Sequence, residues 1–307
     1  MIKHRRALLT LALIVFTCSV NSHTQDKASD NALAAHTPQA ARTQQDSRVQ
    51  TIQFESKLVG KTLPYNVLLP VNYNHAESRS KHYPVLYLLH GFSGHYTNWL
   101  EKTKLVDYTA GYELIIVMPE GNDAWYTDSA TVPTDKYESY IVQELIPDVE
   151  KRFRAGSDAG SRAIAGLSMG GYGAIKFGLK HPEMFALAAS LSGAFSAATW
   201  DAKDPGAISN SLRQVFGPAN SETRAANDVP RLAREAKAKG ITLPFLYVDC
   251  GTEDHLFADN REFVSLLVEL KIPHQYRQLP GGHSWTYWDS QVQEVLRIAS
   301  KRLGKSL

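Results

Sequence analysis

Cysteine is nearly absent: two residues in 307 exclude a disulfide-stapled scaffold. Cys18 closes an apolar run near the N-terminus and Cys250 falls in an apolar segment, so no bridge is expected in the mature chain. An excess of one charge is also lacking. The 33 Lys+Arg nearly balance the 31 Asp+Glu, for a formal net charge of +2, which argues against nucleic acid or an anionic membrane as the main partner. None of the 11 histidines makes an H-x-H or H-E-x-x-H spacing, so neither a catalytic metal nor any other cofactor is expected. Internal repeats are missing, and no apolar run is long enough to span a bilayer. What is present is ordinary globular material, 43% hydrophobic and 10% aromatic, enough to bury a substantial core.

Residues 1–22 read as a secretory signal, with a basic start at Lys3, Arg5 and Arg6, an apolar run from Ala7 to Val20, and polar residues ending near Ser22. Removing those three cations from 33 leaves 30 basic against 31 acidic side chains, so the exported chain is nearly neutral. Lipid attachment at Cys18 is the alternative, but Phe16 and Thr17 stand where small residues are usual. Residues 23–47 have the composition of a solvated tether, leaving 48–307 as one catalytic-size domain.

The tether is followed by two alternating segments, Thr51 to Leu58 and Leu63 to Leu69, around Val59-Gly60-Lys61, which predict an antiparallel hairpin at a sheet edge. Continuous apolar runs come next at 85–89, 114–118, 163–167 and 245–248, as expected of strands buried on both faces. Helical stripes alternate with them: Phe263, Leu266, Leu267 and Leu270 keep one face, as do Val292, Val295, Leu296 and Ala299. Ile141 to Phe153 shows a third, with Pro147 expected to kink it or start a second helix. The alternation predicts an α/β fold, a mainly parallel sheet with helices on both faces. The looser stretch between Gly193 and Thr242 predicts a small helical excursion over the site.

The strongest chemical signal is Gly166-Leu167-Ser168-Met169-Gly170-Gly171, where an apolar strand ends and a helix begins. Small residues around a serine allow the tight, strained turn that lifts its hydroxyl above the strand ends. A serine hydroxyl needs a base, and the base an acid, in the chain order Ser, acid, His. Asp254 follows the strand ending at Val248, and His283 lies in Pro280-Gly281-Gly282-His283-Ser284-Trp285 before the last helix. Asp249 and the adjacent Glu253 remain alternatives for the acid. The tetrahedral intermediate demands preorganised donors, for which the backbone N–H groups of Met169 and of Phe92, in His90-Gly91-Phe92, are the candidates; His90 reads as a structural hydrogen-bonder. Trp125, Tyr126 and Trp285 are candidates for lining a substrate pocket.

Together, the His90-Gly91-Phe92 loop with Asn98-Trp99, the segment 125–130, the elbow at 166–173, the segment 249–254 and Gly281-Gly282-His283-Ser284-Trp285 resemble the esterase D group of α/β-hydrolases, from about residue 50 to residue 303. That group includes S-formylglutathione hydrolases, tributyrin and acetyl esterases, feruloyl esterases and secreted mycolyltransferases. The resemblance implies an α/β-hydrolase fold with Ser168 as nucleophile, Asp254 as acid, His283 as base, and Phe92 and Met169 as oxyanion donors, acting on a small-molecule ester. Two features depart from subgroups: Ser93-Gly94 stands where S-formylglutathione hydrolases carry Thr-Cys, and the acid is aspartate where mycolyltransferases use glutamate. Thioester hydrolysis and acyl transfer are therefore runner-up activities. A non-catalytic binding protein on the same fold would show an eroded triad, and none of the three positions is eroded.

Overall fold

The computed structural model describes residues 47–303; the expected signal, Cys18 and all of the tether except Ser47 lie outside them. Four short strands open the domain: β1 (Val49–Ile52), β2 (Glu55–Ser56), β3 (Lys61–Thr62) and β4 (Tyr65–Leu68). The expected hairpin forms but divides in two. β1 pairs antiparallel with β4 in the main sheet, while β2 and β3 make a separate ribbon turning at Gly60, whose φ of +68° suits glycine.

The apolar runs become β5 (Val85–Leu89), β6 (Ile115–Pro119), β7 (Arg162–Leu167) and β9 (Phe245–Gly251), with β8 (Leu187–Leu191) between the last two and β10 (His274–Leu279) at the edge. The eight-stranded order is β1-β4-β6-β5-β7-β8-β9-β10; β4 runs antiparallel to β6 and all strands from β6 to β10 run parallel. Burial on both faces explains the unbroken apolar runs. In β5, Val85, Tyr87 and Leu89 enter one core, and Leu86 and Leu88 the other.

Helices α1 (Asn98–Lys102) and α2 (Leu105–Tyr108) follow β5, and α3 (Tyr137–Ser139) runs through a π-helical stretch at Tyr140–Leu145 into α4 (Ile146–Arg152). Pro147 stands in the first turn of α4, so of the two expected outcomes it is the start of a second helical segment that is observed, directly after the π stretch. Then come α5 (Met169–Lys180), α6 (Ala207–Phe216), α7 (Glu222–Ala226), α8 (Val229–Ala238), α9 (Phe257–Glu269) and α10 (Trp285–Arg302). α4, α5, α8 and α9 cover one face of the sheet; α1, α2 and α10 cover the other.

β8, Leu-Ala-Ala-Ser-Leu, carries no β-branched residue and gave no strand signal. Its small side chains let α5 lie close: a Cβ built on Gly178 would stand 2.6 Å from the Ala188 Cβ, and one on Gly171 would stand 2.5 Å from the Ser190 hydroxyl. Packing chose those residues. Chain order also matters, since β5 leads outward to β6 and the chain then returns to the other side of β5 as β7. This reversal places a crevice beyond the C-terminal ends of β5 and β7, where open α/β sheets hold their ligands.

Candidate active site

Four strand ends build the site. β7 ends into Ser168, which has φ 53° and ψ −116°, a conformation that costs a non-glycine residue of order 1–3 kcal/mol. Its neighbours hold it there: the Ser168 N–H donates to the Leu191 carbonyl at 2.9 Å, and its carbonyl accepts from Tyr172 N–H at 2.9 Å and Ala194 N–H at 3.3 Å. The glycines of the elbow are needed for closeness. A Cβ on Gly170 would meet the carbonyl oxygens of His90 and Leu89 at 2.5 and 2.6 Å, so the nucleophile turn seats directly on the loop leaving β5.

That loop is the next element. β5 pairs with β7 in the register Leu89↔Gly166, so the residues after each strand abut, and a Cβ on Gly91 would lie 3.4 Å from Ser168 Cβ. His90 is buried and accepts from the Gly121 N–H at Nε2 (2.9 Å), which leaves Nδ1–H to donate to the Gly91 carbonyl (2.8 Å). It braces the loop, and its Nε2, accepting from Gly121, carries no proton to donate to the Glu120 oxygen 3.2 Å away. The Met169 N–H, at the first position of α5, has no intrahelical acceptor.

β9 and β10 bring the remaining pair. Their loops are zipped together by Thr252 N–H to the Leu279 carbonyl (2.9 Å) and Glu253 N–H to the Gly281 carbonyl (3.0 Å). As a result His283 Nδ1 stands 2.9 Å from Asp254 Oδ2 and 3.1 Å from Oδ1, while its Nε2 stands 3.0 Å from Ser168 Oγ. Burial alone would raise the Asp254 carboxyl, but hydrogen bonds from His283 and from the Leu256 N–H (2.8 Å) outweigh it and lower its pKa, so it is a carboxylate at neutral pH. Trp288 sets its ring edge-on to His283 at 4.8 Å between centroids and donates from Nε1 to the Ser192 hydroxyl, a further partner of Asp254.

The two alternative acids are placed elsewhere. Glu253 is exposed. Asp249 is fully buried and accepts from the hydroxyls of Tyr247 (3.0 Å) and Tyr287, and burial raises its pKa in spite of both bonds. It anchors the first turn of α10.

A cleft of about 500 Å³ opens over Ser168, with Phe92, Leu167, Lys102, Trp285 and Trp288 among its walls. Trp285 thus lies where substrate contact was expected; Trp125 and Tyr126 do not. Both are buried in the core, Trp125 against Phe92, Tyr172 and Trp200, and Tyr126 donating to the His90 carbonyl at 3.0 Å. Both residues have positive φ, 53° and 50°, and the Tyr126 hydroxyl reaches the loop after β5 from within the core.

A lysine missed at the sequence level holds that strained pair. Lys176 lies on α5 with its side chain wholly buried, and its ammonium donates to the Tyr126 carbonyl, to Thr127 Oγ1 at 2.8 Å and to Glu138 at 2.9 Å. Glu138 also meets Lys180 (2.8 Å) and His181 (3.0 Å). A charged residue inside an otherwise apolar helix was the available signal.

Gly251→Ala tests the zipped loops. The added Cβ would fall 2.0 Å from the Gly281 carbonyl oxygen, backbone that can yield only by parting the acid loop from the base loop. We expect a loss of about 1–3 kcal/mol in urea unfolding, as for other overpacked sites, together with a fall in kcat; an unchanged midpoint would show that the loops are free to separate.

A family model described as "Putative esterase" matches residues 56–298. The chain is 29% identical over 262 residues to an acetyl esterase of Caldicellulosiruptor saccharolyticus, covering 82% of this chain and 98% of that protein. Among solved structures it is similar to an S-formylglutathione hydrolase from Staphylococcus aureus, with a TM-score of 0.73, 28% identity, and coverage of 82% of this chain and 98% of that one. A ferulic acid esterase superposes with a TM-score of 0.70 and 29% identity, over 83% and 98% of the two chains.

Proposed function

We propose, for a chain that belongs to this esterase family and is a carboxylic ester hydrolase of the α/β serine type, that catalysis runs through an acyl-enzyme on Ser168 and that the substrates are short-chain or aryl esters met outside the cytoplasm. One observation carries the mechanism: His283 Nε2 reaches Ser168 Oγ at 3.0 Å while its Nδ1 is held by Asp254 at 2.9 Å. That tautomer leaves Nε2 free to take the serine proton. The alkoxide attacks the ester carbonyl, and the N–H groups of Phe92 and Met169 receive the charge on its oxygen. His283 then returns the proton to the departing alcohol and removes one from water, which releases the acid from Ser168. Asp254 stays ionised throughout and stabilises the imidazolium.

The size and walls of the cleft support the substrate reading. About 500 Å³ lined in part by Phe92, Trp285 and Trp288 suits a small acyl or aryl group. With p-nitrophenyl esters we expect kcat/KM to be highest for acetyl and butyryl and at least about tenfold lower for octanoyl, the loss of roughly 1.4 kcal/mol that goes with forcing methylenes into a filled pocket. A flat profile through octanoyl would reject the short-chain reading. Similarity to an S-formylglutathione hydrolase keeps thioesters as a second reading, and one acyl thioester in the same panel decides between them. Export rests on the N-terminal signal pattern and is checked by mass spectrometry of the mature N-terminus, where a diacylglyceryl group on Cys18 would replace release by anchoring.

A further inference from the structure

We propose that Asp254, His255 and His283 form an inhibitory site for zinc, a place where a borderline divalent cation disables the general base; the inhibition, though not the site, rests on the reading of His283 given above. Among the described residues these three form a group in which one ligand atom from each lies within 4.8 Å of the others. Asp254 Oδ1 stands 3.7 Å from His255 Nδ1 and 3.1 Å from His283 Nδ1. Four-coordinate zinc at bond lengths of about 2.0–2.1 Å sets its ligand atoms roughly 3.3 Å apart, between those two separations. His255 supplies the remaining adjustment. Its side chain is 69% exposed, so it can rotate toward the site and leaves a path for the ion to enter. The two imidazole rings lie side by side with centroids 4.5 Å apart, tilted by 57° to one another.

The donor set favours zinc over magnesium. Two imidazoles and one carboxylate suit a borderline ion, whereas magnesium demands near-octahedral oxygen and keeps its waters. The catalytic consequence follows from the proton. In the resting site His283 carries its proton on Nδ1, bonded to Asp254, and Nε2 accepts from Ser168. Zinc bonds to Nδ1 through that nitrogen's lone pair, so the proton must leave Nδ1 and reappear on Nε2 by exchange with water. No net proton is lost from the ring. Three bonds form, to His283 Nδ1, His255 Nδ1 and one Asp254 oxygen, as five of the six waters of the aqueous ion leave and one stays to complete the four-coordinate site. Nε2–H can no longer accept the serine proton, and hydrolysis stops. This role differs from a catalytic metal, for which the sequence holds no spacing, because the triad dyad itself becomes two of the ligands.

The test uses the full chain freed of metal with EDTA. Zinc chloride titrated into p-nitrophenyl acetate hydrolysis is expected to inhibit reversibly, with activity restored by EDTA and with magnesium chloride inert at the same concentrations. Isothermal titration calorimetry is expected to give one zinc per chain. His255→Ala is expected to keep the zinc-free rate within about threefold and to raise the inhibition midpoint at least about tenfold, the loss already typical of removing a mere outer-shell partner; His255→Asp, which returns a ligand, is expected to recover part of it. Calorimetry on Ser168→Ala separates the two readings, since zinc should bind there with unchanged stoichiometry whatever becomes of the catalytic assignment. Equal inhibition of wild type and His255→Ala, or zinc binding at this site with no loss of rate, would overturn the proposal.

Discussion

Ser168→Ala is expected to lower kcat for short p-nitrophenyl esters by about 10⁶-fold, to a residue of activity that binding and the oxyanion donors sustain without a nucleophile. Labelling by a fluorophosphonate probe should vanish with it. In the proposed mechanism the serine, the histidine and the acid act as one unit, so adding His283→Ala to that variant should cost almost nothing more. Asp254→Asn tests the same unit from its far end: an amide in place of the carboxylate favours the wrong imidazole tautomer, and a fall of about 10⁴-fold is expected with the fold intact. The geometry makes these outcomes sharp, since no other hydroxyl is bonded to His283 among the described residues. Hydrolysis by Ser168→Ala at a tenth of the wild-type rate would move the nucleophile elsewhere.

Glu138→Ala is expected to be the most destabilising single change outside the sheet, by about 3–5 kcal/mol, the usual effect of leaving a buried charge without its partner. Lys176 would keep as hydrogen-bond partners only the Tyr126 carbonyl and Thr127, with Lys180 and His181 close by and the weaker field of Asp128 as its remaining carboxylate. Burial by itself would raise the Glu138 carboxyl, but the charges of Lys176 and Lys180 and the hydrogen bond from His181 hold it well below its ordinary 4.5. A carboxyl lowered in the folded state contributes stability that is complete above its unfolded value and is lost as the pH falls through the folded one. Wild type should therefore lose this contribution in acid, below pH 4.5, and Glu138→Ala should show a flatter acid limb. Burial also lowers Lys176, to about 8, and Glu138 opposes that shift. Between about 8 and 10.5 the folded chain holds fewer protons there than the unfolded chain, so this lysine adds stability as the pH rises. Urea unfolding of both proteins from pH 3 to pH 10 measures each limb, and a difference under about 1 kcal/mol at pH 7 would mean that the cluster is hydrated.

The effect on activity should run through Tyr126. Its carbonyl is held by Lys176 and its hydroxyl holds the carbonyl of His90, so the ion pair reaches the oxyanion loop through two hydrogen bonds and one strained turn. A carboxamide at 138 keeps an acceptor and should lose less stability than alanine, with KM for acetyl esters changed less than kcat.

Local pattern was sufficient wherever the physics was local. The runs at 85–89 and 163–167 announced strands because both of their faces are covered, and the elbow announced Ser168 because only small neighbours permit its backbone. The order of serine, aspartate and histidine was legible for the same reason, each sitting one turn past a readable strand. β8 was not, since its alanines and serine answer to the nearness of α5 rather than to any strand preference. Pro147 was legible as the start of a helical segment, but the π stretch before it was not.

The sequence alone determined the class of fold and singled out Ser168, His283 and the loop beside them as the candidate nucleophile, base and oxyanion loop, all of which are written in short stretches of chain. It left three carboxylates open for one role and set two buried aromatics on the wall of a cleft they do not line. Only the tertiary structure set Asp254, rather than Asp249 or Glu253, beside His283, buried Trp125 and Tyr126, and joined Lys176 to Glu138 across 38 residues. Those outcomes rest on which side chains meet through space and on what water is kept from reaching, and neither quantity is a property of neighbours along the chain.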